Sequence, residues 1–191
     1  VLAAESLAEL AFLPGGGQAV AVTDQWVIVA ARQAGLRLAA LDRRSGLPAV
    51  WQTLASAGEA VDLAVDGAGQ VAYVALGAGG VAVYDLTLPD GPQLTTTIPA
   101  DAGAAVEHVA VGEGQLMVSS GSRLTIYALA DPLFPARLAV YAPLHDAQDV
   151  LVRQGWAYVA DGDGVFRYNI SDFDSPRFDR FFEAGRHIVI F

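Results

Sequence analysis

The chain has 191 residues, of which 53% are hydrophobic and 17% charged, so it can bury a sizeable core and is not a disordered protein. Eleven basic residues against 21 acidic ones give a net charge of −10, which would repel a phosphate backbone and argues against a nucleic-acid partner. The absence of cysteine excludes disulfides, thiolate metal sites and cysteine nucleophiles. Apolar stretches such as residues 26–31 are far shorter than the roughly 18 residues that a membrane-spanning helix needs.

The sequence repeats itself at intervals of 40 to 45 residues. Each copy holds four short runs rich in Val, Tyr, Leu and Trp, separated by Gly, Asp and Pro, which is the pattern of β-strands and turns. In the second copy these runs are Val61–Val65, Val71–Ala75, Val81–Leu86 and Gln93–Ile98. Glycine-containing segments at 77–80, 120–122 and 161–164 predict hairpin turns with positive φ between the second and third runs.

A proline precedes the fourth run of every copy, at Pro48, Pro92, Pro135 and Pro176. Because proline has no N–H to donate, it is tolerated beside an edge strand and not in the middle of a sheet. The fourth run is therefore predicted to be the outermost strand of a meander of four.

Four-stranded antiparallel sheets of this kind are the blades of a β-propeller. A lone sheet of this size cannot bury both faces, whereas sheets stacked around an axis can. We therefore predict an all-β chain, a β-propeller of about four complete blades plus parts of a fifth, within a single propeller region over residues 1–191. The predicted blades span residues 19–59, 60–104, 105–146 and 147–186.

Both ends of the chain carry partial repeats. Residues 1–18 fit the end of a preceding blade, and residues 187–191 fit the start of a further innermost strand. The expectation is a fragment of a larger ring, or a ring that another chain completes.

The fourth copy contains the segments Ala157-Tyr-Val-Ala-Asp-Gly162, Val165-Phe-Arg-Tyr-Asn-Ile-Ser-Asp172 and Ser175-Pro176. The second copy shares Ala72-Tyr-Val-Ala75 and Val83-Tyr-Asp-Leu86. These segments resemble the LVIVD repeat, a bacterial and archaeal propeller repeat, with propeller repeats of the Tyr-Val-Thr-Asn type as a close second. The first and third copies match mainly by spacing. The resemblance implies a surface-exposed, secreted or periplasmic protein, and it supplies no catalytic residue and no cofactor.

One column of the repeat could carry chemistry. The second position of the innermost strand is Ala19 in the first copy and then Asp62, His108, Asp149 and His187. Innermost strands line the channel of a propeller, so imidazole and carboxylate groups there could bind a divalent metal or a polar ligand. The alternative is that a water-filled channel mouth is simply polar.

Two further features have competing interpretations. The segment 161–164, Asp-Gly-Asp-Gly, superficially resembles a calcium loop, but the bidentate Glu of such a loop is absent and a hairpin turn is the better interpretation. The end of the fourth copy is rich in aromatic and basic residues, which suit either an interface core or packing against a following blade. These residues are Phe173, Arg177, Phe178, Arg180, Phe181 and Phe182.

The predicted function is a non-catalytic propeller scaffold or protein-interaction module, part of a larger extracytoplasmic or surface protein. Its expected partner is another protein or the remaining blades of the same protein, and no cofactor is expected. The alternative is a metal-binding, ligand-binding or enzymatic propeller that uses the polar channel column.

Overall fold

The computed structural model describes residues 16–42, 44–45, 48, 50–101, 103–142, 147–172 and 177–183. In these residues sixteen strands form four antiparallel sheets of four strands each, and there is no helix. The prediction of an all-β chain built from four-stranded antiparallel sheets is confirmed. None of the described residues belongs to a helix long and apolar enough to cross a membrane.

The strands are numbered in chain order, four to a sheet. The first sheet contains β1 (Ala19–Val22), β2 (Trp26–Ala30), β3 (Leu36–Ala40) and β4 (Gln52–Leu54). The second contains β5 (Asp62–Val65), β6 (Val71–Ala75), β7 (Val81–Asp85) and β8 (Gln93–Ile98). The third contains β9 (His108–Gly112), β10 (Gln115–Ser120), β11 (Arg123–Ala128) and β12 (Ala136–Tyr141). The fourth contains β13 (Ala147–Arg153), β14 (Trp156–Asp161), β15 (Gly164–Asn169) and β16 (Arg177–Glu183).

Within each sheet, neighbours in sequence are neighbours in space, and the first and fourth strands form the two edges. Pro92 and Pro135 directly precede the edge strands β8 and β12, as their missing N–H requires. In the first sheet Pro48 instead forms an isolated bridge with Leu41, and β4 is only three residues long. The predicted partial repeats at residues 1–15 and 187–191 lie outside the described residues.

The tight turns have the chemistry that hairpins require. Two-residue turns at 113–114 and 154–155 place Glu113 and Gln154 at φ of 53° and 51°, each followed by a glycine with positive φ. Between second and third strands, Gly77 and Gly121 adopt the predicted positive φ. The turn after Asp161 differs, since no residue in 161–164 has positive φ. There the Asp161 carboxylate accepts the Asp163 N–H at 3.2 Å and supports the turn in another way.

The core consists of three apolar layers between consecutive sheets. Ile28 and Leu36 of the first sheet pack on Val74 and Tyr84 of the second, and equivalent layers join the second sheet to the third and the third to the fourth. Tyr73 and Tyr168 are the largest fully buried side chains. Each fully buried large side chain contributes on the order of 1.5–3 kcal/mol, so the face-to-face stacking, and not any single sheet, supplies the stability.

Backbone hydrogen bonds also join the sheets near the axis. The turn after the second strand of one sheet accepts an N–H from the start of the next sheet. The bonds run from Ala60 N to Arg32 O (3.1 Å), from Val106 N to Gly77 O (3.0 Å) and from Ala147 N to Gly121 O (3.4 Å). The turns of successive sheets are therefore held at one end of the stack, where the candidate site lies.

Candidate functional site

A cavity of about 890 Å³, here called the axial cavity, opens where these turns meet the starts of the innermost strands. Its apolar lining, here called the floor, is made of glycine, alanine, valine and leucine residues and includes Gly58, Gly77 and Gly79. A Cβ on Gly58 would lie 2.2 Å from the carbonyl oxygen of Leu76, so the close approach of the two segments excludes larger side chains there. The polar side chains that line the cavity are Gln18, Arg32, Glu59, Glu107, His108 and Gln148.

Three members of the predicted polar column lie on equivalent rungs of their sheets. Asp62 pairs with Ala75, His108 with Ser119 and Asp149 with Ala160, in each case on the first and second strands. The structure brings two of them together, because His108 Nδ1 lies 3.6 Å from Asp62 Oδ2. His187 and the interface candidate Phe173 lie outside the described residues.

The Asp62 carboxylate joins two innermost strands. Its Oδ1 accepts the N–H of Leu63 at 2.8 Å, and its Oδ2 accepts the N–H of Val109, in the next sheet, at 2.9 Å. Asp149 makes the first of these two contacts, since its Oδ1 accepts the N–H of Val150 at 2.8 Å. Both oxygens of Asp62 are thus used to hold backbone, a structural role that the sequence interpretation did not consider.

His108 is half-buried between acidic groups. The neighbouring Asp62 carboxylate, as acceptor for the imidazolium, is the main cause that raises the pKa of His108 above 6.5, while partial burial opposes it. The negative charges of Asp62, Asp149 and Glu107 raise the pKa further. Since 3.6 Å is long for a direct hydrogen bond, the pair is best described as a partly solvated ion pair.

The arrangement does not form a metal centre in the part of the chain that the structure describes. No three His, Asp or Glu side chains there are grouped so that they could hold an ion. The axial cavity nevertheless offers an apolar floor with a few polar groups around it, the composition of many ligand pockets.

Arg32 is a residue of the axial cavity that sequence reasoning missed. Its φ is 49°, in the left-handed region, and it occupies the turn position that Gly77 (φ 58°) and Gly121 (φ 55°) fill in the next two sheets. Its guanidinium donates to Gln18 Oε1 at 2.7 Å. A column alignment of the turns could have found it, since an arginine replaces glycine there.

The five predicted interface residues that the structure describes lie on β16, the outer strand of the fourth sheet, and all seven residues of this strand are exposed. Phe178 and Phe181 pair with Tyr168 and Phe166, so they share the face turned toward the third sheet. Phe181 and Phe166 have ring centroids 4.6 Å apart. Phe178 and Phe181 therefore make their contacts within the chain on the side of the third sheet. Their surfaces remain 48% and 40% exposed.

Phe182 lies on the opposite face of the fourth sheet with a stacked arginine. The Arg167 guanidinium lies 4.2 Å from the centre of the Trp156 ring and 5.5 Å from that of Phe182. Arg167 Nε also donates to Asp179 Oδ2 at 2.8 Å, and this bond is the main cause that lowers the pKa of Asp179. Arg180 donates to the same oxygen at 2.9 Å. The exposed outer strand thus carries aromatic side chains on both faces.

No family model matches the chain, and no curated protein matches it. Several solved structures do match the chain. A protein of Bacteroides uniformis provisionally assigned as a 6-phosphogluconolactonase superposes with a TM-score of 0.71 at 15% identity, covering 89% of this chain and 57% of that one. The β-propeller domain of Cps50 (Swd1) from Myceliophteria thermophila gives 0.67 at 10% identity, covering 88% and 59%. The WD40 repeats of RRP9 give 0.68 at 14% identity, covering 88% and 52%.

The chain spans little more than half the length of these structures. At identities of 10% to 15% the similarity concerns the fold and says nothing of activity or partners. Four stacked four-stranded sheets and these superpositions together show that the chain has the β-propeller fold.

Proposed function

We propose that the chain is a non-catalytic β-propeller that serves as a protein-interaction or structural module. The observation that carries this proposal is β16, where Phe178, Phe181 and Phe182 are 48%, 40% and 40% exposed on the outer strand of a sheet. Phe and Arg are enriched in the cores of protein interfaces, and contiguous exposed apolar residues mark contact surfaces.

The other outer strands make the contrast clear. β4 and β8 have the sequences Gln-Thr-Leu and Gln-Leu-Thr-Thr-Thr-Ile, with no aromatic side chain. β12 has one aromatic residue, the half-buried Tyr141, which packs on Tyr168 with ring centroids 4.8 Å apart. An outer strand of this fold does not need exposed phenylalanine for its own stability, so the aromatic residues of β16 fit a contact with another polypeptide surface.

The absence of catalysis is part of the same proposal. The carboxylate best placed for acid–base chemistry at the axis, Asp62, already accepts two backbone N–H groups. Both of its oxygens are therefore engaged in holding backbone and are not turned toward a bound molecule. Metal analysis of the purified protein, repeated on His108→Ala, tests the metal-dependent alternative: stoichiometric metal that is lost on substitution would contradict a scaffold without a cofactor.

Site-specific photo-crosslinking tests the contact surface. A photoreactive phenylalanine analogue at position 178 should crosslink to one defined protein surface in the cells that make the chain. The matched control carries the analogue at Leu94, which is 54% exposed on β8, and should not give that product. Equal crosslinking at both positions, or none at position 178, would contradict a contact role for β16.

The resemblance to LVIVD repeats and the extracytoplasmic location that it implies stay predictions. Fractionation of the native organism with an antibody against the chain tests the location directly. Recovery from the cytoplasmic fraction alone would contradict it.

A further inference from the structure

Arg32 occupies a backbone position that favours glycine. The two equivalent turns use Gly77 and Gly121 at nearly the same φ. A side chain with a Cβ is strained there whatever space surrounds it. Glu113 and Gln154 have similar φ in tight hairpin turns, but Arg32 also lines a cavity, and this combination points to a role for its side chain because strained positions concentrate at functional sites.

The junction between the first two sheets does not need the arginine side chain. Arg32 N donates to Ala60 O at 2.8 Å and Ala60 N donates to Arg32 O at 3.1 Å, bonds that any residue with this backbone would make. The guanidinium itself donates to Gln18 Oε1, an exposed neutral acceptor, and no carboxylate among the described residues pairs with it. A guanidinium has five N–H groups, so most of its donors remain for a ligand in the axial cavity.

The charges around the axial cavity disfavour a doubly charged anion at Arg32 more than a singly charged one. A planar guanidinium matches a carboxylate through two parallel hydrogen bonds. Glu59 and Glu107 also line the cavity and the chain carries a net charge of −10, so a doubly charged phosphate would meet stronger repulsion than a carboxylate.

The size and lining of the axial cavity argue for an extended chain. At about 890 Å³ it is far larger than a small organic acid, which would leave most of the glycine and aliphatic floor uncovered. An extended peptide brings its backbone close to such a floor and places one side chain at Arg32. We infer that the axial cavity binds an extended segment of a protein partner through an Asp or Glu carboxylate held by Arg32. This inference rests on the proposed interaction role and names a contact distinct from β16.

Two pools of acetylated and amidated nonapeptides provide the test, with randomised flanks and either Asp or Asn at the centre. Retention on the immobilised full chain is quantified by mass spectrometry. The Asp pool should be retained about tenfold more than the Asn pool, the order expected for a charge-assisted pair of hydrogen bonds. Arg32→Gln should abolish the difference between the pools.

Arg153→Gln is the matched control, because it makes the same change of charge at the far end of β13, about 20 Å along the strand from the cavity-lining Ala147 and Gln148. It should retain the Asp preference. Thermal unfolding of both variants checks that each is folded. Equal retention of the two pools by the unsubstituted chain, or an Asp preference that survives Arg32→Gln, would overturn the inference.

Free succinate separates the two sources of a carboxylate. Complete displacement of the peptides by succinate at equal concentration would mean that the site takes a small organic acid, and it would overturn the peptide assignment. The proposed interaction role is tested separately: a β16 crosslink that persists in Arg32→Gln supports that role even if no peptide binds the axial cavity.

Discussion

The first and second junctions between sheets follow one plan but differ at the innermost rung. At the second junction Asp62 accepts the N–H of Val109 across the gap. At the first junction the equivalent residue is Ala19, whose side chain cannot accept such a bond, and a two-way backbone pair joins Arg32 and Ala60. Farther out, side-chain donors cross both junctions, among them Trp26 Nε1 to Leu86 O at 3.3 Å in the first and Tyr73 OH to Pro132 O at 2.8 Å in the second. The two junctions therefore share the backbone bond between a turn and the start of the next sheet, whereas the side-chain bonds across them differ in both residue and place.

Truncating the buried donor at the second junction should have the largest effect. Tyr73→Ala should lower the free energy of unfolding by about 3–5 kcal/mol, because it removes a fully buried ring and leaves a cavity between two sheets. Tyr73→Phe keeps the ring and should cost only about 1 kcal/mol, the net value of the lost bond to Pro132. Urea unfolding measures both.

Leu94→Ala on β8 is the matched surface control and should change stability by less than about 0.5 kcal/mol. A cost for Tyr73→Ala as small as that of Leu94→Ala would contradict face-to-face stacking as the main source of stability.

Removal of Asp62, the carboxylate between the innermost strands, should have the second-largest effect on stability. Asp62→Ala leaves the N–H groups of Leu63 and Val109 without an acceptor and should cost about 1–3 kcal/mol. The exposed Asp90, for which Asp90→Ala makes the same chemical change in a loop, should cost almost nothing. If hydrogen exchange at the Val109 amide is no faster in Asp62→Ala, the bridging role of the carboxylate is wrong.

Much of the fold could be predicted from sequence because its signal is local and repeated. The second strands of the first, second and fourth sheets begin at Trp26, Val71 and Trp156, the first residues of their apolar runs. The Asp-Gly-Asp-Gly sequence of the fourth hairpin suggested a glycine with positive φ, but the turn has none and is held by the Asp161 carboxylate. The residue types of a turn do not show that a side-chain hydrogen bond will replace a glycine conformation.

The site was less predictable because its geometry depends on contacts between repeats. Column alignment placed Asp62, His108 and Asp149 on equivalent rungs, yet it could not show that Asp62 faces the N–H of Val109 in the next sheet. Likewise, four nearby phenylalanines are visible in sequence, but the bulge between Arg167 and Tyr168 helps decide which of them face the third sheet. Arg32 was missed because the turns, unlike the innermost strands, were not compared column by column, a comparison that sets Arg32 against Gly77 and Gly121.

Removing the backbone strain at Arg32 should have a smaller effect, and it should raise the free energy of unfolding. Arg32→Gly should raise the free energy of unfolding by about 1 kcal/mol relative to Arg32→Ala, because both variants lose the side chain and only glycine relieves the left-handed φ. Both variants lose the hydrogen bond from Arg32 to Gln18, so this loss does not contribute to the difference in stability between them. Equal stability of the two variants in thermal unfolding would show that the turn holds no strain.

The smallest effect concerns His108 and pH. Since the folded pKa of His108 is raised above the ordinary value of 6.5, protonation stabilises the fold. That contribution is complete below pH 6.5 and is lost as the pH rises through the folded pKa. It should amount to less than about 1 kcal/mol, because the imidazole and the Asp62 carboxylate are partly solvated.

The stability of the unsubstituted chain relative to His108→Gln should therefore fall between pH 6 and pH 8, and the same comparison in an Asp62→Ala background should be nearly flat. A pH dependence that survives in that background would assign the raised pKa to Asp149 and Glu107 and would leave Asp62 as a purely backbone contact.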